Sequence, residues 1–438
     1  MNLFDFTREP ISITKPIRLI ELFAGYGSQA MALKRIGAKF EHYLICEWEM
    51  HSVASYKAIH MPCDNVDYSD GVDSEKIIEE LTKLGISVDG KSTLSENQIR
   101  NHSHGEAWRR NCYNNIKATH NLVNICATHG NDLKIIDTEH FTYLLTYSFP
   151  CTDLSVAGKQ AGMSKGSGTR SGLLWEVERI LTEIRDRNGE LPQILFMENV
   201  PQVHSQDNMP DFRKWLDFLE SLGYTNYYQD LNAKNYGVAQ NRERCFMFSF
   251  LGEYNYHFPQ PIPLKKRIRD YLEETVDARY YVSCNALKGF MEHARKQKEK
   301  GNSFHAVVKD VDDIAPTIKA RYYKDGSDCL IKVAGRINSS QDGKVVYTDG
   351  IAPTLTVGHC NVPKIAEPAM KKLYGSAKLQ HSIRRLTPRE DGRLMGVSDE
   401  DIDKMAAVNS NTQLYKQFGN SIVVDVMCAM FKNLNINQ

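Results

Sequence analysis

The run Ile17 to Leu22 (IRLIEL) is apolar and of strand length. Phe23-Ala24-Gly25-Tyr26-Gly27-Ser28 follows it without a spacer, and a helical pattern, Ala30 to Ile36, closes at Gly37. Strand, glycine turn and helix in direct succession are the opening unit of a parallel α/β sheet. The glycines let the backbone turn tightly and come close to a ligand. The spacing is FxGxG and not GxGxxG, with Gln29 and Ala30 where a third glycine would be sought. A second strand, Tyr43 to Cys46, ends in Glu47-Trp48. An acidic residue at a strand end about 20 positions after the turn suits hydrogen bonds to ribose hydroxyls, and Trp48 suits an adenine. A nicotinamide dehydrogenase would share these features but not the glycine spacing.

At 438 residues the chain is long enough for two domains or three. Lys+Arg and Asp+Glu are both 54, so no global basic field marks a polyanion partner, although one face can still be positive. The ten cysteines are scattered without a CxxC pair, which fits reduced thiols in a cytoplasmic protein. No window has the length and apolarity of a membrane span, and the start, MNLFDFTREP, lacks a signal-peptide layout. Between Met61 and Gly130 a helix is expected at Glu75 to Leu84, and the rest reads as an insertion with solvated polar faces. His102, His104, His120 and His129, with Cys112 and Cys126, match no zinc template, so no metal is expected. Arg100, Arg109, Arg110 and Lys117 could grip a polyanion.

After Gly130 the α/β rhythm resumes. The apolar run 141–145 leads to Phe149-Pro150-Cys151. A cysteine at a strand-to-loop junction can be held rigidly and still face a cleft, as a thiolate nucleophile must. Taken alone it reads better as a buried structural thiol. The glycine-rich loop 158–170 is suited to act as a lid. A helix, 173–187, and a strand, 193–197, follow; the strand ends in Glu198-Asn199-Val200, at the carboxyl end where α/β sheets bind ligands. Helix 212–222 and strand 227–231 precede Gln240-Asn241-Arg242-Glu243-Arg244 and strand 245–250. Past Pro259, Pro261 and Pro263 a basic run, 265–269, reads as a solvated linker. From about 280 to 375 short β-like pieces with glycine and asparagine turns replace the alternation. Gln417-Phe418-Gly419-Asn420-Ser421 then precedes an apolar helix, 422–434, whose buried face should lie on the first sheet. Asn420-Ser421 can serve as that helix's N-cap, which is compatible with a ligand contact.

In this order the motifs resemble those of the cytosine-C5 DNA methyltransferases of bacterial and phage modification systems. FAGYG at 23–27 resembles the S-adenosylmethionine turn, and Glu47-Trp48 the ribose and adenine contacts. FPC at 149–151 resembles the catalytic Pro-Cys, ENV at 198–200 the catalytic glutamate motif and QNRER at 240–244 the QxRxR motif. RRLTPREDGRLMG at 384–396 and QFGNS at 417–421 resemble the closing motifs, and Thr354-Leu355 a pair in the target-recognition domain. Tyr26, Gly27-Ser28 and Thr152-Asp153 depart from the family's pattern without removing a group the chemistry needs.

The resemblance implies a Rossmann-like S-adenosylmethionine-dependent methyltransferase sheet with a second, smaller, mostly β or irregular target-recognition domain. It implies a catalytic domain at 1–258, with the insertion at about 62–130, a recognition domain at 259–383, and closing motifs at 384–438 that return to the catalytic domain. The implied activity is that of a DNA (cytosine-5-)-methyltransferase. Cys151 would attack C6 of a cytosine flipped out of the duplex, Glu198 would hold a proton at N3 with a pKa raised by burial, and Arg244 would bind O2. Arg242 would support Cys151 or the nearby backbone. Phe23, Gly25, Gly27, Glu47, Trp48, Pro150, Leu173, Asn420 and Ser421 would hold S-adenosylmethionine. Asp132 would contact its adenine, with Asp137 as rival. Ser155, Lys159, Gln341 and Thr354 would contact DNA, Gln341 by filling the gap left in the helix. The implied partner is double-stranded DNA, with a cognate restriction endonuclease as a functional and not a physical partner and the enzyme a monomer. Transfer RNA as substrate of the same fold is the alternative; the sizeable 260–380 segment favours duplex DNA.

Overall fold

The opening strand and helix form as expected in a computed structural model, which describes residues 9–151, 153–154, 162–299, 307–333, 345–347, 364–366 and 382–436. Strand β1 spans Ile17–Leu22 and α1 spans Ser28–Arg35. Gly27 joins them at φ 80°; a Cβ there would collide with His60 and Tyr56, so only glycine fits. Strand β2, Phe40–Cys46, is followed by α2, Met50–His60, which Glu49 caps by accepting from the His51 and Ser52 amides.

The stretch that reads as solvated in the sequence is a helical layer with its own core. It comprises α3 Ser74–Leu84, α4 Glu96–Arg100 and α5 Gly105–Ala118. Ile77, Ile78, Leu81, Ile99, Cys112 and Ile116 close on Met50 and Val53 of α2. The polar reading arises because the helices are short and their apolar stripes are narrow and interrupted by loops. The basic side chains there are engaged within the layer: Arg100 pairs with Glu75 and Glu96, Arg110 with Glu106, and Lys117 with Glu80.

Strands β3 Thr142–Tyr147, β4 Ile194–Asn199, β5 Tyr224–Asn232 and β6 Glu243–Leu251 complete a six-stranded sheet of order β2-β1-β3-β4-β6-β5. Helix α6 (Leu174–Asp186) lies between β3 and β4 in the chain, and α7 (Met209–Ser221) between β4 and β5. The first four strands in that order run parallel, whereas β6 runs antiparallel to both its neighbours. The register brings Leu22, Cys46, Tyr147 and Met197 level. Phe23, Glu47, the 148–151 turn and Glu198 therefore emerge along one edge of the sheet. Because β6 runs the other way and pairs Cys245 with Asn199, Arg244 starts its strand at that same edge.

Side chains alternate between the two sheet faces. Leu145, Leu195 and Met197 pack with Trp215 of α7 and Leu181 of α6, while Leu144, Phe196 and Phe248 pack on the other face.

Past the prolines the structure adds a 16-residue helix, α8 (Cys284–Glu299), to the expected short strands; Ala, Leu, Lys and Glu favour helix there. Strands β7 Val308–Asp310, β9 Leu330–Val333 and β10 Ser382–Arg385 form a small sheet of order β7-β9-β10. Strand β8, Ala315–Pro316, pairs instead with Gln240-Asn241. Ile318, Tyr322, Cys329 and Ile331 are buried in the same core as Phe248 and Phe418. The chain closes with α9 Pro388–Leu394, α10 Asp399–Val408, α11 Asn411–Asn420 and α12 Val424–Lys432. Helix α12 lies on the first sheet, with Phe431 edge-on to Phe196 at 5.3 Å. Asn420-Ser421 is not its N-cap: Asn420 ends α11, Ser421 is that helix's C-cap, and α12 begins after Val423 without a side-chain cap. No helix among the described residues is long and apolar enough to cross a membrane.

Candidate active site

Cys151 stands where β3 has run out, half-buried and unbridged. Three bonds fix its turn. Asn199 Nδ2 donates to the Phe149 carbonyl at 3.0 Å, Ser171 Oγ to the Pro150 carbonyl at 2.8 Å, and the Leu154 amide to the Cys151 carbonyl at 3.1 Å. The Asp153 carboxylate accepts from the Arg170 amide at 2.8 Å, tying the end of the 158–170 loop back to this turn.

Glu198, one strand over, is buried with 7% of its surface exposed. Arg244 Nε lies 3.1 Å from its Oε1. Burial raises Glu198 above the ordinary carboxylate range although Arg244 and Arg242 both pull it down. Burial likewise raises the Cys151 thiol, with Arg244 opposing. Burial therefore works against the charged form of both groups, while Arg244 and Arg242 work for it.

Arg242 is buried and turned elsewhere. It donates to the carbonyls of Ile318 at 3.0 Å, Gly419 at 3.0 Å and Ser421 at 2.6 Å. Burial and the charge of Arg244 lower it to about 9. Of the two supports expected of it, the backbone takes its hydrogen bonds, and its charge still acts on Cys151. Three segments far apart in sequence meet on this one guanidinium.

The glycine turn lies farther along the same edge. Phe23 and Gly25 have φ 59° and 57°. The Gly25 amide donates to Glu47 Oε2 at 2.9 Å and the Glu49 amide to Glu47 Oε1 at 2.8 Å. Burial pushes the Glu47 carboxyl up to about 7. A Cβ on Gly25 would meet nothing within 4 Å, so open space lies over the turn. That space, bordered by a carboxylate at a strand end, fits a nucleoside-bearing donor such as S-adenosylmethionine. Ser421 Oγ donates to Ser28 Oγ at 3.2 Å, which brings the Asn420-Ser421 joint against the start of α1. Trp48 packs against the helical layer, and Leu173, just before α6, against the sheet face that carries Cys151.

Asp132 sits on a 3-10 turn, Gly130–Leu133, where its carboxylate accepts from the His129 amide at 2.8 Å; Asp137 bonds His140. The chain that runs beside the end of β2 is instead at Asn121, bridged to Ile45. Asn121 Nδ2 donates to the Glu47 carbonyl at 2.8 Å and its Oδ1 accepts from the Glu47 amide at 3.0 Å. Sequence reasoning misses this residue and gives Asn199 no bracing role. Asn199 is legible as the neighbour of Glu198; Asn121 carries no local signal. Ser155, Lys159, Gln341 and Thr354 lie outside the described residues.

Known proteins are similar to this chain in sequence and in fold. A sequence model of the family described as C-5 cytosine-specific DNA methylase matches residues 94–435. The type II methyltransferase M2.ScrFI of Lactococcus lactis subsp. cremoris is 34% identical, over 96% of this chain and 100% of its own length. The orphan methyltransferase M.SssI of Spiroplasma monobiae is 30% identical, over 96% of this chain and 98% of its own. Among solved structures, the Dnmt2 methyltransferase of S. pombe superposes with TM-score 0.55 at 16% identity, covering 95% of this chain and 97% of its own. The Entamoeba histolytica methyltransferase EhMeth gives 0.56 at 14%, covering 96% and 98%. These two likenesses concern the fold.

Proposed function

The chain belongs to the C-5 cytosine-specific DNA methylase family and methylates DNA cytosine, and from that premise we propose that it does so through a covalent bond between Cys151 Sγ and C6 of the base. The observation that carries this reading is the convergence of Cys151, Glu198 and Arg244 at one sheet edge, with Arg244 Nε 3.1 Å from Glu198 Oε1.

Cytosine C5 is a poor nucleophile. Attack of the Cys151 sulfur on C6 forms an S–C6 bond and pushes electron density toward N3, which leaves C5 enamine-like. Glu198 meets that density with its proton at N3, a task suited to a carboxyl group raised by burial. Arg244 donates to the cytosine O2 and offsets the charge that gathers there. The thiol proton must leave before or during attack, and the positive charges of Arg244 and Arg242 favour the thiolate. Arg242 positions the site, joining β6 to the 318 and 419–421 segments. S-adenosylmethionine, which the methyltransferase family and fold imply, supplies the electrophilic methyl group when bound. Phe23, Gly25 and Gly27 would shape its bed and Glu47 would lie toward its ribose. Once C5 carries the methyl group, a base takes the C5 proton, the C5–H electron pair re-forms the C5–C6 double bond, and the S–C6 bond breaks with Cys151 leaving as thiolate.

The base must leave the stack for Cys151 to reach C6. In this proposal residues 1–258 carry the chemistry, 259–383 choose the cytosine in duplex DNA, and 384–438 brace the cofactor turn. The protein works as a monomeric modification enzyme, with a cognate endonuclease as its functional counterpart. Transfer RNA is not favoured, since the family description specifies DNA. Bisulfite sequencing of DNA from cells expressing the protein should reveal 5-methylcytosine in a fixed sequence context. Its absence would overturn the proposal, as would substantial activity in Cys151→Ser.

A further inference from the structure

Behind the catalytic edge, three side chains that methyl transfer does not use converge. His204 ends the 3-10 turn Pro201–His204, which follows directly on Glu198-Asn199-Val200. Asp230 on β5 and Cys245 on β6 are directly paired in the antiparallel ladder. His204 Nε2 lies 2.9 Å from Asp230 Oδ1, and the nitrogen, sulfur and oxygen donor atoms all lie within 4.8 Å of one another. Cys245 follows Arg244 in an extended strand, so the two side chains point to opposite faces. The cluster is thus separate from the site that takes the base, while sharing its strands.

We infer that His204, Asp230 and Cys245 form a site for a thiophilic divalent cation of the zinc class, which fastens the turn after Glu198 to the β5–β6 ladder. One imidazole, one thiolate and one carboxylate are the donor types such an ion takes, and three protein ligands leave a fourth position for water. Imidazole with thiolate selects zinc, cobalt or cadmium over magnesium and calcium, which prefer all-oxygen sets. Ligand atoms around a tetrahedral zinc lie about 3.3–3.8 Å apart, from its bond lengths to nitrogen and sulfur. The separations here, 2.9 Å between His204 Nε2 and Asp230 Oδ1 and at most 4.8 Å among the three donors, bracket that spacing. Entry is open, since the side chains of His204 and Asp230 are 25% and 31% exposed, while Cys245 at 0% closes the inner wall. Binding breaks the Cys245 S–H bond and releases that proton to solvent. The dication then balances one thiolate and one carboxylate. The ion would hold Asn199, whose amide also braces the Phe149 carbonyl, through both the turn and its pairing with Cys245.

The alternative is a plain His204–Asp230 ion pair with a buried thiol beside it, and cobalt titration separates the two. Full-length protein, reduced and stripped with chelator, is titrated with Co2+. A thiolate-to-cobalt charge-transfer band should appear, saturate at one equivalent and be displaced by Zn2+. Cys245→Ser should abolish the band, and His204→Asn should weaken binding by at least ~10-fold. Cys151→Ser should leave both unchanged. Should Cys245→Ser fail to fold, His204→Asn decides, because its side chain is partly exposed. Zn2+ should also raise the melting temperature of the wild type and not of His204→Asn. Absence of the band, its persistence at full strength in His204→Asn, or its loss in Cys151→Ser would each overturn the inference.

Discussion

Two buried arginine–glutamate pairs of the molecule do opposite work. Glu390 and Arg384 are 0% and 3% exposed and bond through two parallel contacts of 2.7 Å. The Thr387 and Glu273 amides, both at 2.8 Å, add two more donors to that carboxylate. The side chains of Glu198 and Arg244 are 9% and 16% exposed and meet through one contact at 3.1 Å. A carboxylate with four donors is fully compensated for its burial and can offer nothing to a substrate. One with a single donor among the described residues, raised in pKa by its burial, keeps free bonding directions for a base. Saturation, and not burial, separates the structural pair from the one proposed to act on the base.

This contrast can be broken by substitution, beginning with the largest effect. Cys151→Ser removes the nucleophile next to the unsaturated pair and should lower methyl transfer by ~10^4-fold or more, by analogy with removal of other covalent nucleophiles. Its melting temperature should stay near that of the wild type; a comparable loss of folding would mean that Cys151 is structural. Glu390→Gln should cost about 3–5 kcal/mol of stability by leaving Arg384 buried and unmatched. Denaturant unfolding reads that loss, while kcat per folded molecule should change by no more than a few-fold. Glu198→Gln should reverse the pattern. Methyl transfer should fall by ~10^2–10^4-fold, with stability unchanged or improved. If the two glutamines behaved alike, saturation would not be what distinguishes the pairs.

The smallest effect is in pH. A carboxyl group whose folded pKa is raised contributes stability that is complete below its unfolded value of about 4.5, and this is lost as pH rises through the folded value. Wild-type stability should therefore carry a declining component above about pH 4.5 that Glu198→Gln lacks. The activity that needs protonated Glu198 should fall in the same direction as pH rises. The difference between the two unfolding-versus-pH curves is the measurement; identical slopes would remove Glu198 as a raised acid.

Much of the catalytic edge is legible in the residues themselves. IRLIEL with FAGYGS ties the chain to an α/β sheet because strand, left-handed glycine and helix must succeed one another there. Pro150-Cys151, Glu198-Asn199 and Arg242 to Arg244 are readable as strand-end chemistry, since strand ends are local features of sequence. The helical layer from 74 to 118 reads as solvated, because its core forms only when three short helices close on Met50 and Val53. Asp132 has the place in the chain that suits an adenine contact, but the residue braced on Glu47 is Asn121, brought there by a single bridge to Ile45.

Residue types and their order are enough to determine the sheet class and the family and to single out Cys151 and Glu198 as the proposed nucleophile and acid, because these depend on covalent neighbours and short-range propensity. Which groups face one another depends on strand register and on contacts between segments hundreds of residues apart. Those contacts make Arg242 a clamp on Gly419 and Ser421 and set Ser421 against Ser28, while strand register brings Arg244 to Glu198. Hydrogen bonds act over about 3 Å in space without regard to distance along the chain, so only the folded packing could assign them.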